Sequence, residues 1–248
     1  MRKENIKKIV KTCFFNKEGH IASALSILDF LHELYFNKLT DDDKFVLSKG
    51  HASLALYSIF LDKGYITEDQ FYSFGQKDSL LGGHPSSKKI DKILLSTGSL
   101  GHGLPFCVGL AMAKKIKKET GLIYCLIGDG ESNEGTTWES ALAASTYELD
   151  NLICIMDFNK SGERAIKLNS CEDKFFSFGW NSILVNNGND PKEINKALDN
   201  ITKNGKPTFI QLNTVKGYGI PIMENNPEWH HKQPSTQEEY EKIINSIQ

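Results

Sequence analysis

A chain of 248 residues with 40% hydrophobic and 24% charged content is long enough to bury a full core and is ordinary for a globular protein. Its net charge of −2 leaves no basic footprint for a nucleic acid. No apolar run approaches the roughly 18–20 residues of a membrane span, and no apolar core follows the basic start as it would in a secretory signal.

The stretch HIASALSILDFLHELYF places Ile21, Leu25, Leu28, Leu31 and Tyr35 on one helical face. DKFVLS reads as a short strand, and KGHASLALYSIFLDKGY as a helix closed by Gly64. Residues 66–97 are loop-rich, with GGHPSS the strongest turn signal. STGSLGHGLPFCVGLAMAKKIKKE is a glycine-rich loop running into a helix, its Pro105 in the first turn where a missing N–H does no harm. A strand over 122–127, a helix over 134–148 and a strand over 151–158 come next. They are followed by the strand NSILVNN, the helix DPKEINKALDNITKN, the strand PTFIQLNT and a helical tail from Thr236. Strands alternating with helices predict an α/β fold: a doubly wound, mostly parallel sheet with helices on both faces. With no internal repeat and no linker, residues 1–248 read as a single domain. The five cysteines, at 13, 107, 125, 154 and 171, form no CxxC pair. Cys125 and Cys154 lie inside apolar runs and read as buried thiols, which fits a reducing, cytoplasmic compartment.

The segment LIYCLIGDGESNEGTTWESA stops an apolar run at Gly-Asp-Gly. In a βαβ unit, Asp129 and Asn159 then follow the carboxyl ends of two parallel strands, the edge where open α/β sheets bind ligands. One carboxylate and one amide carbonyl suit Mg²⁺ or Ca²⁺, with phosphate oxygens completing the shell. Gly128 and Gly130 allow a sharp turn and close backbone approach. Gly98 to Gly103 opens a helix whose N–H groups can hold phosphate. Taken alone, each motif has a plain structural reading as a turn or a cap. Histidines 20, 51, 84, 230 and 231 occupy turn-like contexts without zinc-ligand spacing.

The ordered set GHIAS, SKGHAS, GGHP, STGSLGHG, GDGESNEG, LDNLICIMDFN, TVKGYG and MENNPEWHHK resembles the N-terminal, diphosphate-binding part of transketolases, over roughly residues 10–240. The resemblance implies thiamine diphosphate as cofactor, held through a divalent metal on Asp129, Asn159 and the backbone carbonyl of Ser161. His51, Gly98, Ser99, Leu100, His102, Gly128, Gly130, Asn159 and His230 would contact the cofactor, with Leu100 under the thiazolium. His20, His84 and His230 would face the donor sugar and the reacting carbon, and Glu134 would lie beside the cofactor across the domain interface. The implied reaction moves a two-carbon ketol unit from a ketose (phosphate) to an aldose (phosphate).

In this family the glutamate that bonds the aminopyrimidine belongs to a second domain after the matched segment, as do most phosphate-clamping arginines. This sequence has arginine only at positions 2 and 164. The expectation is therefore an N-terminal subunit that works with a separate C-terminal transketolase subunit, in an α2β2 assembly. Several positions depart from the family pattern. His102 stands in LGHG for the usual LGQG, Gly75 for a frequent arginine and Ser86 for an acid. Glu163 or Arg164 falls where an apolar residue usually packs on the cofactor, which leaves the Ser161 contact open. These changes point to a specialised sugar substrate. Two other readings stay open: the α-subunit of a 2-oxo acid dehydrogenase, and a non-catalytic cofactor-binding or regulatory subunit.

Overall fold

The computed structural model describes residues 1–164, 166–167 and 169–247 of the chain, the side chain of Arg164 excepted. The elements are α1 (Arg2–Asn16), α2 (Ile21–Leu25), α3 (Leu28–Glu33), β1 (Lys44–Leu47), α4 (Ser53–Asp62), α5 (Glu68–Tyr72), α6 (Gly103–Lys117), β2 (Ile123–Gly128), α7 (Gly135–Thr146), β3 (Leu152–Phe158), α8 (Cys171–Ser177), β4 (Asn181–Val185), α9 (Pro191–Asp199), β5 (Thr208–Asn213) and α10 (Gln237–Asn245).

The five strands form one parallel sheet in the order β1-β2-β3-β5-β4. β2 and β3 are buried along their whole length, as expected of central parallel strands covered on both faces. Their side chains alternate between two apolar clusters. Tyr124, Leu126, Ile153 and Ile155 join Ile210 and Leu212 of β5 in packing against α1 to α4 and α9. Ile123, Cys125, Ile127, Leu152, Cys154 and Met156 pack against α6, α7 and α8. Helices thus cover both faces, and the sheet register aligns Gly128 with Asp157 and Phe158 with Asn213. The residues that follow β1, β2, β3 and β5, namely Ser48, Asp129, Asn159 and Thr214, therefore gather along one edge.

Four helical features, the broken helix, α1, α5 and α8, differ from the sequence reading. The helix expected over residues 20–36 breaks into α2 and α3 and ends in a π-turn over Leu34–Lys38. The break falls at Ser26, whose hydroxyl bonds to Ser23 O and reaches Asp157 Oδ2 at 2.7 Å. Helix α1 was not among the expected elements, although Ile6, Ile9, Val10 and Cys13 recur at helical spacing and are all buried. Helices α5 and α8 are short, and each is started by a side-chain cap, from Thr67 and Ser170 respectively.

Candidate active site

A cavity of about 390 Å³ opens at the carboxyl edge of the sheet. Of the residues singled out from sequence, His20, His51, His84, Gly98, Leu100, Gly128, Asp129, Gly130, Asn159, Ser161 and His230 line it. Ser99, His102 and Glu134 are exposed and do not line it. His102 is the N-cap residue of α6 without a side-chain cap bond, and Glu134 is the N-cap residue of α7.

Asp129 begins a 3-10 turn over Asp129–Asn133 directly after β2. Its Oδ1 accepts from Gly130 N–H at 2.8 Å, while Oδ2 is buried with no hydrogen bond among the described residues. Burial pushes its carboxyl above the usual range. The charge of Asp157 adds to that, and the amides of Gly162 and Gly130 offset part of it. Asn159 Nδ2 donates to Asp157 Oδ2 at 2.8 Å, and its Oδ1 accepts from Ser161 N–H at 3.1 Å. Gly162 presses on the Asp129–Gly130 backbone so closely that a Cβ there would sit 2.8 Å from Gly130 N and 2.9 Å from Asp129 C. The loop after β3 is thereby seated on the turn after β2.

Asp157 is the hub beneath these residues. It is fully buried and accepts from Ser26, Lys49, Asn159 and Thr214. Burial alone would raise its carboxyl. The buried Lys49 ammonium, with the hydroxyls of Thr214 and Ser26, outweighs that and holds it below the usual value. Lys49 and Lys216 also line the cavity, and Lys216 Nζ lies 3.0 Å from Ser161 Oγ and 2.8 Å from His230 Nδ1.

The histidines converge. The His20 ring lies 5.4 Å from His51, 6.1 Å from His230 and 4.3 Å from His231, centroid to centroid. Burial, then the neighbouring His231, lowers His20 to about 4; burial, then Lys49, lowers His51 to about 2. Both rings are neutral near pH 7, each with one donor and one acceptor nitrogen. The fully buried Glu131, raised by burial, accepts from Ser48 Oγ, Gly101 N–H and Gly128 N–H. Ser48 Oγ in turn accepts from Gly103 N–H at 3.0 Å. The amides of Gly101 and Gly103, read from sequence as phosphate-holding, are thus bonded within the protein. Sequence reasoning did not single out Lys49, Glu131, Asp157 or Lys216. Each is a charge set inside an apolar or glycine-bounded motif: SKGHAS, GDGE, IMDFN and TVKGYG.

The profile of the transketolase, thiamine diphosphate binding domain family matches residues 16–244. An apulose-4-phosphate transketolase subunit of Phocaeicola vulgatus is 39% identical over 98% of this chain and 91% of its own length. A Clostridium 6-deoxy-6-sulfo-D-fructose transketolase subunit is 35% identical over 86% of this chain and 82% of its own length. Among solved structures, transketolase from Campylobacter jejuni superposes with a TM-score of 0.88 at 29% identity; the match covers 98% of this chain and 42% of that one. The buried carboxylate and the ring of histidines at the strand ends are therefore those of a chain that belongs to the transketolase thiamine diphosphate-binding domain family.

Proposed function

We propose that this chain is the thiamine diphosphate-binding subunit of a two-subunit transketolase, a transferase that moves a two-carbon ketol unit from a ketose (phosphate) to an aldose (phosphate). The observation that carries the reading is Asp129: a buried carboxylate with one oxygen unpartnered among the described residues, in the wall of a cavity shared by four histidines. An orphaned buried oxygen beside an amide carbonyl is the donor set of a hard divalent cation, so Mg²⁺ or Ca²⁺ fits Asp129 and Asn159, with the Ser161 carbonyl as a third donor. Lys216 and His230, both in the cavity wall, supply an amine and a ring nitrogen toward a diphosphate attached to that cation.

Thiamine diphosphate, when bound, supplies the electron sink that makes breaking a carbon–carbon bond beside a carbonyl feasible. The chain's own residues do the rest. Neutral His51 contacts the cofactor, and neutral His20 orients a hydroxyl through one ring N–H and one ring nitrogen and donates toward an oxygen that becomes anionic. His84, whose ring lies against Gly98, and His230 complete the polar wall around the sugar. Leu100 contributes an apolar surface that keeps water off the reacting centre. Glu134, outside the cavity of this chain, would lie beside the cofactor across the domain interface.

That partner would be a separate C-terminal transketolase subunit that brings the pyrimidine-binding half of the site, in an α2β2 assembly. The relatives' designation as subunits supports this. Residues 1–248 would be one diphosphate-binding domain. Buried, unpaired cysteines support a cytoplasmic location. Among the described residues no helix is long and apolar enough to cross a membrane.

The test is reconstitution. Co-expressed with a chain resembling the transketolase C-terminal half, the protein should show Mg²⁺-dependent ketol transfer, and Asp129→Ala should abolish thiamine diphosphate uptake measured by calorimetry. Full-rate transfer by the chain alone would refute the two-subunit reading. Undiminished uptake by Asp129→Ala would refute the cofactor site.

A further inference from the structure

The first amides of a helix are its natural anion site, because they lack partners within the helix and carry the positive end of its dipole. At α6 part of this demand is met from inside the protein, at Gly103 and, two residues before the helix, at Gly101. Glu131 Oε1 takes Gly101 N–H at 2.9 Å and the Ser48 hydroxyl, and that hydroxyl takes Gly103 N–H at 3.0 Å. Glu131 Oε2 takes Gly128 N–H at 2.9 Å, one residue before Asp129. Its three hydrogen-bond donors among the described residues are thus two backbone amides and one hydroxyl. One fully buried carboxylate therefore joins the end of β1, the glycine loop of residues 98–103 and the end of β2. The same loop carries Gly98 and Leu100 into the cavity wall. The approach is tight: a side chain on Gly101 would run into Glu134 Cβ at 2.6 Å and Thr136 Oγ1 at 2.7 Å.

We infer that Glu131 is a positioning residue, a built-in anion for the α6 N-terminus. It holds the glycine loop in its cofactor-ready shape. By occupying the loop's amides it also directs the diphosphate to the Asp129, Asn159 and Lys216 side of the cavity instead of to the helix. The inference rests on the cofactor site proposed above and adds where in that site the anion is not held.

The test turns on a sign. Glutamine matches glutamate in shape but offers a single acceptor oxygen where donors converge on two, so in Glu131→Gln the side-chain NH₂ must face either Gly101 N–H or Gly128 N–H. The chain, co-expressed with a chain resembling the transketolase C-terminal half, is titrated calorimetrically with thiamine diphosphate and, separately, with inorganic pyrophosphate, both with Mg²⁺. Amide hydrogen exchange is followed over the segments holding Gly101, Gly103 and Gly128. Expected for Glu131→Gln is about tenfold weaker binding of both ligands, the scale at which outer-shell positioning groups act, with faster exchange at Gly101 or Gly128. If the helix N-terminus were itself the ligand's anion site, removing the competing carboxylate would leave pyrophosphate binding equal or tighter, and that result overturns the proposal. Ser48→Ala breaks only the Gly103 branch. It should weaken binding by a smaller factor and speed exchange at Gly103. It decides the matter if Glu131→Gln does not fold, and wild-type behaviour from it would count against the inference. Should the reconstituted complex with the unmodified chain take up neither ligand, the cofactor reading has failed. Unchanged exchange at both Gly101 and Gly128 in Glu131→Gln then separately removes the loop-holding role.

Discussion

Asn159 donates its amide nitrogen to Asp157 Oδ2 at 2.8 Å, and this bond decides which end of the amide serves the cavity. A carboxylate can only accept, so the nitrogen must face Asp157, and the oxygen is left on the side of Ser161. Asp157 can hold its charge in the interior because Lys49, equally buried, neutralises it. Lys49→Met should therefore cost about 3–5 kcal/mol in a denaturant titration, because it strands a buried carboxylate. Lys49→Met combined with Asp157→Leu should cost less, yet it frees the Asn159 amide to turn. Its Mg²⁺ affinity in the presence of thiamine diphosphate should fall about tenfold or more.

Asp129 serves the proposed site at the expense of the empty fold. Its raised carboxyl and unbonded Oδ2 mean that the charged form is penalised at pH 7. Asp129→Asn should stabilise the cofactor-free chain by on the order of 1 kcal/mol, or about 2–4 °C in the thermal midpoint, while removing metal-dependent cofactor binding. Because the folded pKa lies above the unfolded one, the penalty is relieved as the pH falls. The gap between variant and parent should accordingly narrow in acid.

His51 carries the opposite sign. Burial and Lys49 hold it at about 2, whereas the unfolded chain takes up this proton near pH 6.5. Its contribution is present above pH 6.5 and is lost as the pH falls below it. Between pH 7 and 5.5 the loss is about 1 kcal/mol. Asp29, Asp129 and Glu131, all raised chiefly by burial, act in the other direction but are common to parent and variant. The stability difference between parent and His51→Gln should thus shift by about 1 kcal/mol across that interval, read from denaturation curves at the two pH values.

Gly162 permits the contact between the turn after β2 and the loop after β3. A methyl group there meets backbone on both sides, which cannot move like a side-chain tip. Gly162→Ala should cost about 1–3 kcal/mol and weaken thiamine diphosphate binding more than tenfold, whereas Gly109→Ala, with open space around it, should leave binding unchanged. Calorimetry on both variants tests the contrast.

The sheet was legible because its strands are uninterrupted apolar runs ended by glycine or polar residues; β2 and β3 lie within one residue of their expected bounds. Asp129 and Asn159 were legible for the same reason, as the first polar residues past buried strands. The break at Ser26 was not, because it depends on a bond to Asp157, 131 residues away in the chain. The roles of Glu131 and Lys49 were hidden likewise. A charged residue in a motif looks solvated until tertiary packing shows it fully enclosed and partnered.

All five cysteines are enclosed, and four of them, Cys107, Cys125, Cys154 and Cys171, sit in the cluster between the sheet and α6 to α8. A thiol-alkylating reagent can reach them only when the protein opens. Labelling rate under native conditions, counted by mass spectrometry, thus gives an inbuilt clock for breathing of the core, with no added probe.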